Sequence, residues 1–188
     1  TRIAIGQGVA VTSLQMLGVV CAIANDGFLM QPYVVDRISK KSGKVMVRNK
    51  PKVLSRSVSY ETSRTMRRLM ARVTEDGGTG RRARVRGYAV AGKTGTAQKP
   101  VDGRYSNEAH MASFVGFAPA DNPQIGVIVV VDEPQPLHTG GQVAAPAFQQ
   151  ILANTLRYFD VSPTAEAPSM ASAGFTGSSQ RSLSWRLD

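Results

Sequence analysis

Apolar residues recur at helical spacing near the start of the chain. Leu14, Leu17, Val20, Cys21 and Ala24 fall on one face of a helix expected over 12–26. Thr12 stands at its N-cap position, and Gln15, three residues on, completes a capping-box pattern. Asn25-Asp26-Gly27 ends the helix, with Gly27 suited to left-handed backbone at C′. Residues 28–38 then read as extended, and Pro32 makes them an edge or a broken strand. Ser42-Gly43 predicts a turn into a short strand over 44–47, so the pair reads as a hairpin. A second helix is expected over 59–75. Met66, Leu69, Met70 and Val73 form its buried face, Arg64, Arg67, Arg68 and Arg72 form the opposite one, and Gly77-Gly78 stops it.

From residue 79 the pattern changes. Residues 79–86 read as a basic loop and 85–90 as a short extended stretch, followed by a Gly- and Thr-rich segment over 92–98. Pro100 and Asp102-Gly103 place a loop over 99–108. Two apolar runs, 111–117 and 125–131, are separated by a short connector with Pro119 and Pro123, which predicts antiparallel pairing. The second run is nearly all apolar and reads as a central strand buried on both faces. Gly140-Gly141 precedes a last helix over 143–159, with Pro146 in its first turn and Phe148, Ile151, Leu152, Leu156 and Phe159 as its core stripe. Residues 162–188, rich in Ser, Ala, Gly and Pro and without periodicity, read as a disordered tail.

Composition adds two constraints. The 188 residues are enough for one domain with a core, and the hydrophobic fraction of 42% is ordinary for a globular chain. The net charge is +10, and the tail charges cancel (Arg181 and Arg186 against Glu166 and Asp188), so the excess belongs to 1–161. Such a charge fits either a solvated basic face or an anionic partner. Eight arginines lie between Arg64 and Arg86. A nucleic-acid surface is one reading of them. Four lie on the solvent face of the second helix and no aromatic residue interleaves, so a solvated face is preferred and no nucleic-acid partner is expected. The single cysteine, Cys21, reads as a buried small hydrophobe. His110 and His138 are far apart in sequence and without cysteine partners, so no zinc site and no cofactor are expected. Asp132 and Glu133 read as the start of a polar loop, while Tyr33 and Tyr105 suit either the rim of a groove or packing.

The candidate chemistry lies in Ala91-Gly92-Lys93-Thr94-Gly95-Thr96-Ala97-Gln98. Gly87, Gly92, Lys93 and Thr94 satisfy the phosphate-loop pattern G-x-x-x-x-G-K-[ST], and the run before Asp132-Glu133 suits the carboxylate strand of an ATPase. That reading needs a helix starting at the lysine, so that its N-terminus holds phosphate. Gly95, Pro100 and Gly103 make poor helix material, and the strands beyond are antiparallel. The ATPase stays as the alternative enzyme reading. A Lys-Thr-Gly strand suits acyl transfer instead. Lys93 and Thr94 give a cation and a hydroxyl donor for a carboxylate. Gly95 leaves room for a substrate backbone, and the Thr96 N–H is available for a developing oxyanion.

The segments around that strand resemble class B penicillin-binding proteins. These are Thr12-Ser13-Leu14-Gln15, Asn25-Asp26-Gly27, the run 91–98, Asp102-Gly103-Arg104-Tyr105, Ser113-Phe114-Val115-Gly116-Phe117-Ala118-Pro119 and Gly140-Gly141-Gln142-Val143-Ala144-Ala145-Pro146-Ala147-Phe148. The likeness runs from about residue 5 to 159, and the Asp-Gly-Arg-Tyr loop is most like the division branch. It implies an α+β fragment of the β-lactamase and penicillin-binding transpeptidase fold over 1–161, an antiparallel sheet flanked by helices. Strands are expected at about 85–90, 91–98, 109–118 and 125–132. It implies that Lys93, Thr94, Gly95 and Thr96 bind a D-Ala-D-Ala stem peptide or a β-lactam, that Lys93 also supports proton transfer, and that the Thr96 backbone N–H is half of an oxyanion hole. It further implies a membrane-anchored peptidoglycan D,D-transpeptidase working outside the cytoplasmic membrane with cell-division membrane proteins.

The chain departs from that family pattern in one respect. No Ser has Lys three residues later, and Ser-x-Asn is absent; Tyr105-Ser106-Asn107 follows the Lys-Thr-Gly strand rather than preceding it and reads as a loop. The nucleophile is therefore expected upstream of Thr1, and the 188 residues alone are expected to be inactive or to act only as a structural or binding module.

Overall fold

The computed structural model describes residues 9–101 and 103–164. Its elements are α1 (Ser13–Ala24), β1 (Phe28–Met30), β2 (Arg37–Ser39), β3 (Val45–Arg48), β4 (Val53–Arg56), α2 (Tyr60–Arg72), β5 (Ala91–Val101), β6 (Arg104–Ala118), β7 (Ile125–Asp132) and α3 (Gly140–Tyr158). This is an α+β arrangement, with helices on both faces of an antiparallel sheet.

α1 starts on the expected capping box. Thr12 Oγ1 accepts the Gln15 N–H at 3.2 Å, and Gln15 Oε1 accepts the Thr12 N–H at 2.9 Å. It ends on two consecutive left-handed residues, Asp26 (φ 51) and Gly27 (φ 91). Gly27 is required there for a second reason, because a Cβ would stand 2.1 Å from the Val58 carbonyl oxygen. α2 is capped by Ser59, whose hydroxyl accepts the Thr62 N–H at 3.1 Å. It docks on the end of α1 by polar contacts: Ser63 Oγ donates to the Ile23 carbonyl at 2.6 Å, and Arg67 pairs with Asp26 at 2.8 Å and donates to the Ala24 carbonyl. The helix face therefore differs from the expected one. Leu69 is exposed and Ser63 is buried, and Arg67 is turned inward. An orphan carbonyl at a helix C-terminus attracts a cation, and apolar periodicity does not record that.

The segment between these helices is broken at Pro32 as expected. β2 and β3 form the predicted hairpin, and β4, which the sequence reading missed, returns to pair with β1. β2, β3 and β4 are exposed along their whole length.

The main sheet has the order β5-β6-β7, antiparallel throughout. Two expectations are corrected here. Residues 85–90 are not a sheet strand: Gly87 (φ 85) closes a tight turn, bridged between Val85 and Tyr88. And β6, not β7, is the central strand among the described residues. The apolar run of β7 reflects cover on its two faces. Ile125, Val127, Val129 and Val131 meet the core under α3, whereas a Cβ on Gly126 would meet Cys21 and Leu17 of α1. Cover above and below says nothing about lateral position in a sheet.

The two faces carry separate cores. Phe114, Phe148, Leu152 and Leu156 are fully buried under α3, with the Phe114 and Phe148 rings 4.6 Å apart. Phe117, Val115, Ala91, Val20 and Met70 form the other core, under α1 and α2. α3 begins at Gly140, earlier than predicted, so Pro146 lies inside the helix. Ile151 and Phe159, expected in the core stripe, are exposed, and Ala144 and Ala145 are buried instead. On α1, Leu14 is likewise exposed. The expected tail over 162–188 lies, from residue 165 on, outside the described residues.

Candidate active site

β5 carries the Lys-Thr-Gly segment as a strand. Strand alternation divides its side chains between the two faces of the sheet. Thr94 is paired with Phe114 and Thr96 with Ala112, which places both on the α3 face. Lys93 is paired with Val115 and Gly95 with Ser113, which places them on the α1 and α2 face. The Lys93 side chain is exposed, and its Nζ donates to the Thr94 carbonyl at 2.8 Å.

Each residue of the segment is fixed by a specific neighbour. The Thr94 and Thr79 hydroxyls are 2.9 Å apart. Thr96 Oγ1 accepts the Gly140 N–H at 3.1 Å, so the first turn of α3 is tied to the strand. Gly140 packs on the strand backbone so tightly that a Cβ there would stand 2.2 Å from the Ser113 carbonyl oxygen and 2.4 Å from that of Gly95. A Cβ on Gly95 would meet Ser113 Oγ at 2.3 Å. The glycine therefore serves packing within the sheet as well as any ligand lying along it.

Beside the strand lies a cleft of about 510 Å³, lined by Thr79, Arg81, Arg82, Thr94, Thr96, Thr139, Gly141 and Gln142. Its charged lining residues are both arginines. Thr79, Arg81, Arg82 and the start of α3 were not singled out from sequence, although Pro146 carries a usable signal. A proline has no N–H, so the Gln142 carbonyl lacks its helical partner, and Arg82 Nη1 donates to it at 3.4 Å.

The arrangement does not fit a phosphate loop. Lys93 and Thr94 are inside β5, Gly87 belongs to a separate turn, and the chain continues as a strand where a helix is needed. Asp132 and Glu133 are both held by Lys99, at 2.8 and 2.5 Å, across the central strand. These hydrogen bonds, to Asp132 first and then Glu133, raise the Lys99 pKa. Ser106 accepts the N–H groups of Glu108 and Ala109, and Asn107 accepts from Gln98, so the Tyr105-Ser106-Asn107 motif shapes the β6 start. Tyr33 and Tyr105 are exposed. His110 and His138, remote in sequence, are stacked at 4.4 Å, and no cluster of three metal-ligating side chains occurs among the described residues. Cys21 is half-buried, and burial raises its thiol pKa.

The comparison that decides the family is the match of residues 1–153 to the penicillin binding protein transpeptidase domain. The chain belongs to the penicillin-binding protein transpeptidase family. This transpeptidase-family chain is 43% identical over 165 residues to Stage V sporulation protein D of Bacillus subtilis, covering 85% of itself and 25% of that protein. It is 39% identical over 160 residues to a Neisseria meningitidis protein named "Probable peptidoglycan D,D-transpeptidase PenA", covering 85% of itself and 26% of that protein. It thus spans about a quarter of the length of these relatives. Its fold is similar to that of penicillin binding protein 3 from Mycobacterium tuberculosis complexed with aztreonam. The TM-score is 0.76 at 35% identity, over 88% of this chain and 39% of that one.

Proposed function

We propose that the protein is part of a serine-type peptidoglycan D,D-transpeptidase of the class B, division branch, which cross-links stem peptides and is acylated by β-lactams. The hydroxyl-lined edge of β5, with Thr94 and Thr96 side by side facing the cleft, carries this reading. Lys93 and Thr94 bind the carboxylate of a D-Ala-D-Ala peptide or a β-lactam, Thr96 lines the same subsite, and the Thr96 backbone N–H forms half of the oxyanion hole. Lys93, on the other face, completes a site whose serine and general base come from outside these 188 residues, where it supports proton transfer. Gly95 keeps the strand open to a substrate backbone. The 188 residues alone contain no Ser-x-x-Lys, so they form no acyl-enzyme. The solved relative with aztreonam supports β-lactams as ligands. Among the described residues no helix is long and apolar enough to cross a membrane. A membrane anchor, with the catalytic domain outside the cytoplasmic membrane beside division proteins, belongs to the same proposal.

Intact-mass spectrometry of the whole protein after exposure to benzylpenicillin tests this. One covalent penicilloyl adduct on an upstream serine is expected. Absence of an adduct from the folded whole protein would contradict the transpeptidase reading.

A further inference from the structure

We propose that the hairpin of β2 and β3 is a docking site for a partner protein, received as an added strand that alternates acidic and apolar residues. None of the hairpin residues lines the cleft beside β5, so docking here is separate from the chemistry of that strand. Every residue from 31 to 57 is exposed, and neither strand joins the two cores. A two-stranded pair by itself is marginal in water. Between Pro32 and Val53 stand seven lysines and arginines against one acidic residue, Asp36, so this stretch carries six of the ten net positive charges. None of the seven forms an ion pair among the described residues.

The register sorts the side chains by face. Arg37 is paired with Arg48, and Ile38 with Val47. Successive residues of a strand point to opposite faces, so Arg37 and Arg48 share one face while Ile38, Val45 and Val47 share the other. Like charges directly opposite weaken a strand pair. The apolar face is open as well, with Ile38, Val45 and Val47 at 56%, 48% and 51% exposure. One occupant relieves both costs. Each strand keeps an unpaired edge among the described residues, and a strand added there sets its alternate side chains on these same two faces. Carboxylates at every second position then meet Arg37 and Arg48, and the apolar residues between them extend the Ile38 and Val47 face. Other occupants fit less well. A second copy would bring like charges together, which is how basic residues on an edge strand guard against self-pairing. A lipid surface that buried the apolar face would turn Arg37 and Arg48 away from its headgroups, and Tyr33 is the only aromatic residue between 31 and 57.

The test uses the whole protein and three labelled ten-residue peptides, alternating Val-Glu, Ser-Glu and Val-Lys, read by fluorescence anisotropy and hydrogen exchange. The Val-Glu peptide should bind, slow backbone exchange within 37–48, and weaken as salt rises. The Ser-Glu and Val-Lys peptides should bind at least about 10-fold more weakly. Arg37→Glu with Arg48→Glu should cut Val-Glu affinity by at least about 10-fold and leave β-lactam acylation within about twofold. Arg37→Gln with Arg48→Gln serves if the charge reversal does not fold. Equal binding of Ser-Glu would reduce the hairpin to a general polyanion surface and overturn the proposal. So would wild-type affinity in the variants, or protection confined to another segment. Failure of the wild type to bind Val-Glu, as when the rest of the protein covers the hairpin, also overturns it. Binding of phosphatidylglycerol vesicles in place of the peptide would do the same and assign the hairpin to a lipid surface.

Discussion

Thr79 and Thr94, fifteen residues apart, meet hydroxyl to hydroxyl at 2.9 Å at the edge of the cleft. The contact fixes the rotamer of Thr94, the side chain proposed to hold a carboxylate. Thr79→Val removes the partner without changing shape. The β-lactam acylation rate of the whole protein should fall by about 2- to 10-fold, the size of one neutral hydrogen bond. Thr79→Ser keeps the hydroxyl and should stay near wild type. An unchanged rate in the valine variant would show that Thr94 does not depend on its neighbour.

Gly95 separates packing from binding. Its missing Cβ leaves room for Ser113 Oγ, a clash that a second substitution relieves. Gly95→Ala should therefore lower stability by about 1–3 kcal/mol, the range for overpacking. Adding Ser113→Ala should recover most of it in a thermal melt. If the strand also accepts a substrate backbone, the double variant should remain slow to acylate after its stability has returned. Full recovery of acylation would reduce Gly95 to a packing residue.

Arg67 should behave unlike the other arginines of α2. It is 13% exposed and joins Asp26 to the end of α1, while Arg64, Arg68 and Arg72 are exposed. Arg67→Ala should cost about 1–2 kcal/mol in chemical unfolding, and Arg64→Ala or Arg68→Ala no more than about 0.5 kcal/mol. Equal costs at all three positions would contradict the docking role.

The Lys99 pair sets an alkaline limit. Bonds to Asp132 and Glu133 raise its folded pKa above that of an unfolded lysine, so its contribution is complete below the unfolded value and is lost as pH rises through the folded one. Glu61 behaves oppositely. A backbone N–H and the Ser59 hydroxyl lower its pKa, so its contribution is present above the unfolded value and is lost as pH falls through the folded one. In melts against pH, Lys99→Met should flatten the alkaline fall and Glu61→Gln the acid one. High salt should weaken both, since the groups face water.

Much of the architecture was legible where one local signal decided it. Thr12 and Gln15 fixed the start of α1, Pro32 broke the early strand, and Ser42-Gly43 turned the hairpin. The strand character of 91–98 followed from Gly95 and Pro100, which excluded the helix that a phosphate loop requires. What escaped depends on contacts between distant segments. β7 reads as central because both of its faces are covered, and no pattern along the chain shows which strand lies beside it. Ile151 and Leu69 have the right period for a core but face outward, since the stripe on each helix is set by its partner. The site divided in the same way. Lys93 through Thr96 were visible as a motif. Thr79 and Arg82 join them only because a turn and the first turns of α3 close around β5.

Labelling of the whole protein by a fluorescent penicillin, wild type against Lys93→Ala, tests the central claim that β5 is the substrate-binding wall of a transpeptidase site. Wild type should label rapidly and covalently. The variant, folded by its melting curve, should label at least about 10-fold more slowly, as expected for removing a charged group from the site. Equal labelling of the two would take Lys93 out of the site and contradict the account.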